Sequence, residues 1–132
     1  GKLAAEDRRC IRPADFVRLV EGGLAKRLAE AEERKELYRE QPFVIGLSGD
    51  QVDGSDPEET VLIQGIIDAF FHEEEKIVVV DYKTDHVRRP EELVERYRKQ
   101  LQYYGQALTM ATGKPVKERL IYSFALGKLI SV

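Results

Sequence analysis

Three features of the 132-residue chain predict a mixed α/β domain with a central sheet flanked by helices. Two apolar runs rich in Val, Ile, Phe and Tyr, Val61–Phe71 and Ile77–Tyr82, are joined by the charged patch His72–Lys76, which fits two neighbouring strands. Leu93, Tyr97, Leu101, Tyr104, Leu108 and Ala111 step by three and four, as one face of a long helix does. Between and around these runs the order is helix, helix, strand, strand, strand, long helix, strand, strand.

The elements follow in turn. Residues 1–12 are polar and weakly patterned, and are expected to be loose or a linker. Pro13 suits the first position of a short helix carrying Phe16, Val17, Leu19 and Val20 and ending near Gly22-Gly23. A second helix, Leu24–Arg34, places Leu24, Leu28 and Ala31 on one side, so residues 13–34 read as helical cover for a sheet. From Glu36 to Leu47 the pattern becomes that of a strand, with Pro42 marking an edge or bulge. Ser48–Thr60 reads as a loop. Its Asp50, Asp53 and Asp56 lack the Gly and Glu spacing of a calcium-binding loop. Pro90-Glu91-Glu92 opens the long helix, which runs to about Ala111 and is ended by Gly113 and Pro115. Val116–Leu126 and Leu129–Val132 read as the last strands, so residues 36–132 form the core of one domain.

Composition narrows the function. At 42% hydrophobic and 34% charged the chain reads as soluble and globular, and no apolar run approaches the ~20 residues of a membrane span. Cys10 is alone, so these residues cannot build a disulfide framework or a four-cysteine cluster, and a cytoplasmic setting is expected. Net charge is −3, so nucleic acid would have to meet a local basic patch. Gly1 in place of Met suggests a piece of a longer protein.

Each apolar run carries one carboxylate, Asp68 and Asp81. A hairpin centred between Glu74 and Glu75 sets His72 opposite Ile77, Phe70 opposite Val79 and Asp68 opposite Asp81. A four-residue loop is expected there, because Glu-Glu suits the tight two-residue turns poorly. Period two puts Leu62, Gln64, Ile66, Asp68 and Phe70 on one face, and Ile77, Val79, Asp81 and Lys83 on one face. Two carboxylates so close repel, and a hard divalent cation such as Mg²⁺ would relieve them. Lys83 can reach a water or phosphate oxygen beside that ion. Gln100 and Tyr104 are neighbours on the long helix, with Arg96 and Lys99 close by and His86, Arg88 and Arg89 just ahead. A basic, polar rim around an acidic centre suits a phosphodiester.

These residues resemble a family. Asp68 followed by Asp81-Tyr82-Lys83 matches the D…(D/E)-x-K pattern of the PD-(D/E)XK nucleases. Gly65-Ile66-Ile67-Asp68, Asp81-Tyr82-Lys83-Thr84-Asp85 and Gln100–Tyr104 look like the G-x-x-D, D-Y-K-T-D and Q-x-x-x-Y motifs of its RecB-like branch. Arg39-Glu40-Gln41-Pro42-Phe43 and Gly113-Lys114-Pro115-Val116 make the chain similar to AddA-type nuclease domains.

The resemblance implies a restriction-endonuclease-like core and a Mg²⁺- or Mn²⁺-dependent deoxyribonuclease. It implies Asp68, Asp81 and the Tyr82 carbonyl as metal ligands, Lys83 on the attacking water or the phosphate, Gln100 and Tyr104 at the rim, and Glu40 in support. It further implies a parent exonuclease of double-strand-break repair and recombination, fed single strands by its helicase and partnered by an AddB-like subunit. The family's upstream G-T-x-x-H ligand has no match in these residues, and His72 and His86 read as surface residues in the wrong places to replace it. The alternative is therefore a nuclease fold used for DNA binding or subunit docking, inactive as an isolated piece.

Overall fold

Strand β2 (Thr60–Glu73) turns directly into β3 (Lys76–Lys83), and the two pair antiparallel with Phe70 opposite Val79 and His72 opposite Ile77, the predicted register. The computed structural model describes residues 23–52, 54 and 56–132; the expected N-terminal linker and the helix from Pro13 lie outside the described residues. A five-stranded sheet is completed by β1 (Leu37–Ser48), β4 (Val116–Ser123) and β5 (Lys128–Ser131), in the order β1-β2-β3-β4-β5. Helix α1 (Gly23–Glu33) packs on one face. The one-turn α2 (Gly49–Val52) interrupts what the composition suggests is plain loop. Helix α3 (Pro90–Thr112) packs on the other face and is the crossover that makes β3 and β4 parallel.

The sequence explains where α3 begins and ends. Arg89, held extended by the proline that follows, precedes Pro90 in the first turn. At the other end Gly113 adopts φ 74° and donates its N–H to the Thr109 carbonyl, a left-handed cap that other residues adopt at a cost.

β3 is buried on both faces, which is why Ile77-Val78-Val79-Val80 is continuously apolar. Ile77 and Val79 meet Leu93, Leu101, Tyr104 and Leu108 of α3. Val78 and Val80 meet Leu24 and Ala31 of α1 together with Phe71 and Leu120. Burying each large aliphatic side chain contributes roughly 1.5–3 kcal/mol. The strand that carries the candidate acid is thus held from two sides.

Two expectations are corrected. The β2–β3 loop has two residues, not four: Glu74 and Glu75 both have positive φ, 56° and 62°. The strand twist demands such a turn whatever residues fill it. Lys117 lies 2.8 Å from Glu73 and 3.5 Å from Glu74, offsetting part of the charge gathered there. Replacing Glu74-Glu75 by Asn-Gly is expected to stabilise the chain by about 1–2 kcal/mol, because exposed ion pairs return little. Thermal unfolding checks this, and an unchanged or lower midpoint would count against the turn's being strained.

The second correction concerns β2. Its predicted face does not run unbroken from Leu62 to Phe70: Leu62 and Ile66 are exposed, whereas Ile67 shares the α3-side core with Phe70. The cause lies across the ladder. Glu40 sits in β1 with φ 50°, and the pairs Arg39↔Ala69 and Gln41↔Ile67 place it opposite Asp68. Before Glu40, Tyr38 stacks on Phe70 at 4.9 Å; after it, Phe43 packs edge-on against Tyr104 at 5.3 Å. Five residues apart, these two would face opposite ways on a regular strand. Pro42 stands on the edge strand, where a missing N–H is tolerated.

Candidate active site

Asp81 stands near the end of β3 and is only 2% exposed. Asp68, half-buried, lies one residue beyond the last β2–β3 pair, Ala69↔Val80. There its carboxylate takes over from the ladder: Oδ2 accepts the Tyr82 N–H at 3.0 Å. The two acids therefore meet on the α3 face, as the sequence register requires.

Lys83 shares that face. Its Nζ is 2.9 Å from Asp81 Oδ2, 3.3 Å from Gln100 Oε1, to which it donates, and 4.0 Å from the centre of the Tyr97 ring. The contact with Asp81 is an ion pair without hydrogen-bond alignment, so Asp81 Oδ2 is buried with no hydrogen-bond partner. Burial raises the Asp81 pKa strongly, the neighbouring Asp68 carboxylate adds to the rise, and Lys83 pulls it back. Tyr104, 6% exposed, is pushed up first by burial and then by the charges of Asp81 and Asp68, so its phenol stays a neutral donor. Gln100 and Tyr104 lie one turn apart on α3 and converge on the acids as the helical spacing implies.

Two close carboxylates and a buried oxygen lacking a hydrogen bond suit a hard, oxygen-seeking divalent cation. Among the described residues no group of three or more His, Cys, Asp or Glu side chains assembles to hold a metal. The acidic set is the pair, with backbone oxygens and water left to complete a shell.

A match to the PD-(D/E)XK nuclease superfamily spans residues 4–129. The chain belongs to that superfamily. Its curated relatives carry one name, that of the AddA-type subunit of an ATP-dependent helicase/nuclease. The relative from Clostridium botulinum (strain Alaska E43 / Type E3) is 37% identical over 135 residues, covering 98% of this chain and 11% of the relative. That of Lachnoclostridium phytofermentans is 38% identical, covering 87% of this chain and 11% of the relative. That of Thermoanaerobacter sp. (strain X514) is 45% identical, covering 73% of this chain and 8% of the relative. The chain thus spans about a tenth of the length of these relatives. Among solved structures, that of SSO0001 is similar in fold, with TM-score 0.50 at 18% identity, covering 92% of this chain and 51% of the other.

In this PD-(D/E)XK domain the rim differs from the sequence expectation in two places. Arg96 is not a free cation: it lies 2.6 Å from Asp85 Oδ2, which also accepts the Tyr97 hydroxyl at 2.7 Å. The pairing holds the Asp85 carboxyl below its usual range against the opposing effect of burial. His72 is half-buried against Tyr38 and Phe70 at the hairpin end of the sheet. Its pKa is lowered by burial and by Lys114, whose Nζ is 3.5 Å from Nδ1. His86, Arg88 and Arg89 are exposed on the stretch between Lys83 and α3, and Lys99 is exposed beside Gln100. Glu40 is half-buried opposite Asp68.

Sequence reasoning misses Asp85 and Tyr97 as members of the site. Tyr97 precedes Gln100 by three residues, so it must border the same patch, but its place in the apolar stripe hides it. An open groove of about 570 Å³ along the later half of α3 contains Arg119 and Met110 but neither carboxylate of the pair. None of the described helices is long and apolar enough to cross a membrane.

Proposed function

We propose that the chain is the nuclease domain of a cytoplasmic ATP-dependent helicase/nuclease and hydrolyses DNA phosphodiesters with Mg²⁺ or Mn²⁺. The buried Asp81 Oδ2 carries the reading: no hydrogen bond satisfies it, and a second carboxylate and an ammonium stand beside it. The parent acts as an exonuclease on single strands delivered by its helicase region, in repair and recombination at double-strand breaks, beside an AddB-like subunit. The relatives' shared name supports this reading.

Asp68, Asp81 and the Tyr82 carbonyl would hold the ion. When bound, it would polarise the scissile phosphate and lower the pKa of a water. The chain's own groups do the rest. Lys83 holds a positive charge where charge develops on the phosphate oxygens. The neutral Tyr104 phenol and the Gln100 amide orient substrate at the rim, and Glu40 supports the strand across from Asp68. His86, Arg88, Arg89 and Lys99 draw the phosphate backbone toward the acids. Arg96 acts there through the loop it ties down. ATP has no role in this domain, since the sequence contains no G-x-x-x-x-G-K-[ST] loop.

Mn²⁺ titrated into the chain is expected to give a calorimetric signal that disappears in the double variant Asp68→Ala/Asp81→Ala. The full-length parent is expected to digest single-stranded DNA with Mg²⁺ or Mn²⁺ and to stop with EDTA. Metal binding that persists in the double variant would place the site elsewhere. Having only two acidic ligands among the described residues favours a second reading, a docking or DNA-binding module. DNA binding by a parent that fails to cleave with either metal would select it.

A further inference from the structure

We propose that Tyr97, anchored by Asp85, is a positioning residue: its ring and the Gln100 amide cradle the Lys83 ammonium and aim it at the reacting phosphate. The inference rests on the nuclease reading above. An ammonium has three N–H donors and no acceptor. Asp81, Gln100 and the Tyr97 ring are the partners close to this one, at 2.9, 3.3 and 4.0 Å. Two of these partners come from α3, three residues apart, and one from Lys83's own strand. The pair from α3 fixes the side chain even when Asp81 serves another partner. A ring face attracts a cation through its quadrupole without neutralising it. Lys83 is thereby oriented while keeping its charge available to a phosphate.

The ring itself is fixed. Its hydroxyl donates to Asp85 Oδ2 at 2.7 Å, and Arg96 lies 2.6 Å from the same oxygen. Burial and the Asp85 charge push the phenol up to about 12, so it remains a neutral donor near neutral pH. Asp85 is two residues after Lys83, so the strand end that presents the ammonium also anchors its platform. Mere filling of the α3 face would need no hydroxyl, since Leu or Met packs there equally well.

The test uses Tyr97→Leu and Tyr97→Phe in the full-length parent, with Tyr97→Met as the substitute if the Leu variant fails to fold. Loss of the ring is expected to lower kcat by roughly 10- to 100-fold, the scale of a misplaced catalytic group, with KM and Mn²⁺ affinity unchanged. The Phe variant is expected to stay within about threefold of wild type, because ring packing still holds the platform in place. In the 132-residue chain the Lys83 side-chain protons, observed by NMR, are expected to show a ring-current shift. That shift should survive in Phe and vanish in Leu. Wild-type kcat in the Leu variant, equal losses in Leu and Phe, or an unchanged Lys83 shift without the ring would each overturn the proposal. A parent that never cleaves would overturn the nuclease reading instead, and the NMR comparison would still decide whether Tyr97 holds Lys83.

Discussion

Asp81→Asn is expected to abolish DNA cleavage and at the same time to make the metal-free chain more stable. The loss should be on the order of a thousandfold or more in kcat, the range seen when one preorganised charge-stabilising group is removed. The gain has a separate origin. Asp81 is 2% exposed and stands beside Asp68, so folding works against its charged form. Asparagine occupies nearly the same volume, offers its amide to Asp68 and its oxygen to Lys83, and carries no charge. A stabilisation of roughly 1–3 kcal/mol at pH 8 in EDTA follows.

The pH dependence has a definite sign. The folded-state pKa is raised above the unfolded value of 3.8. Below that value both states hold the proton and nothing is lost. As pH rises from there through the folded pKa, the unfolded chain releases the proton that the native state retains, and stability falls. The Asn variant should lack that decline. Glu73 has the opposite sign: Arg27 holds it at about 2 instead of 4.5, so its contribution is lost as pH falls through that interval. The two windows separate, and thermal unfolding from pH 5 to 9 isolates Asp81. An Asn variant that cleaves normally, or a stability profile parallel to that of wild type, would remove the basis for a strained acidic centre.

Lys83→Met is the complementary case, with cleavage lost and metal binding kept. The ammonium is the cation 2.9 Å from Asp81 Oδ2, so removing it leaves the acidic pair more attractive to a divalent ion. Mn²⁺ affinity measured by calorimetry should hold or rise. Turnover should fall by about a hundredfold to a thousandfold, as when a transition-state charge partner is deleted. The metal-free chain should lose on the order of 2 kcal/mol. That is less than the ~3–5 kcal/mol of a typical broken buried pair, because Asp81 can take up a proton instead of remaining a bare charge. Undiminished turnover in this variant would show that the ammonium has no part in the reaction.

The central hairpin shows how far local pattern reaches. Counting outward from Glu74 and Glu75 brings Asp68 and Asp81 together, and the observed ladder leads to the same meeting. The count holds although the loop is shorter than expected, because loops of two and four residues about one centre share a register. The same counting fails further along β2. A single left-handed residue in the partner strand, Glu40, reverses which side chains face α3, and nothing local to β2 announces it. Helical spacing likewise places Gln100 and Tyr104 together, but cannot show that the Tyr97 ring lies beneath Lys83 or that Arg96 is spent on Asp85.

The amino-acid order alone determined the strands, the long helix with its proline start and glycine stop, and the common face of Asp81 and Lys83. Those are properties of neighbours two to four residues apart, set by backbone periodicity and φ preference. The folded chain decided what depends on distant partners: the burial that leaves Asp81 Oδ2 without a hydrogen bond, the face reversal at Glu40, and the tying of Tyr97 to Asp85. Desolvation and side-chain contact across a sheet arise only when separate elements pack, so no reading along one strand or one helix contains them.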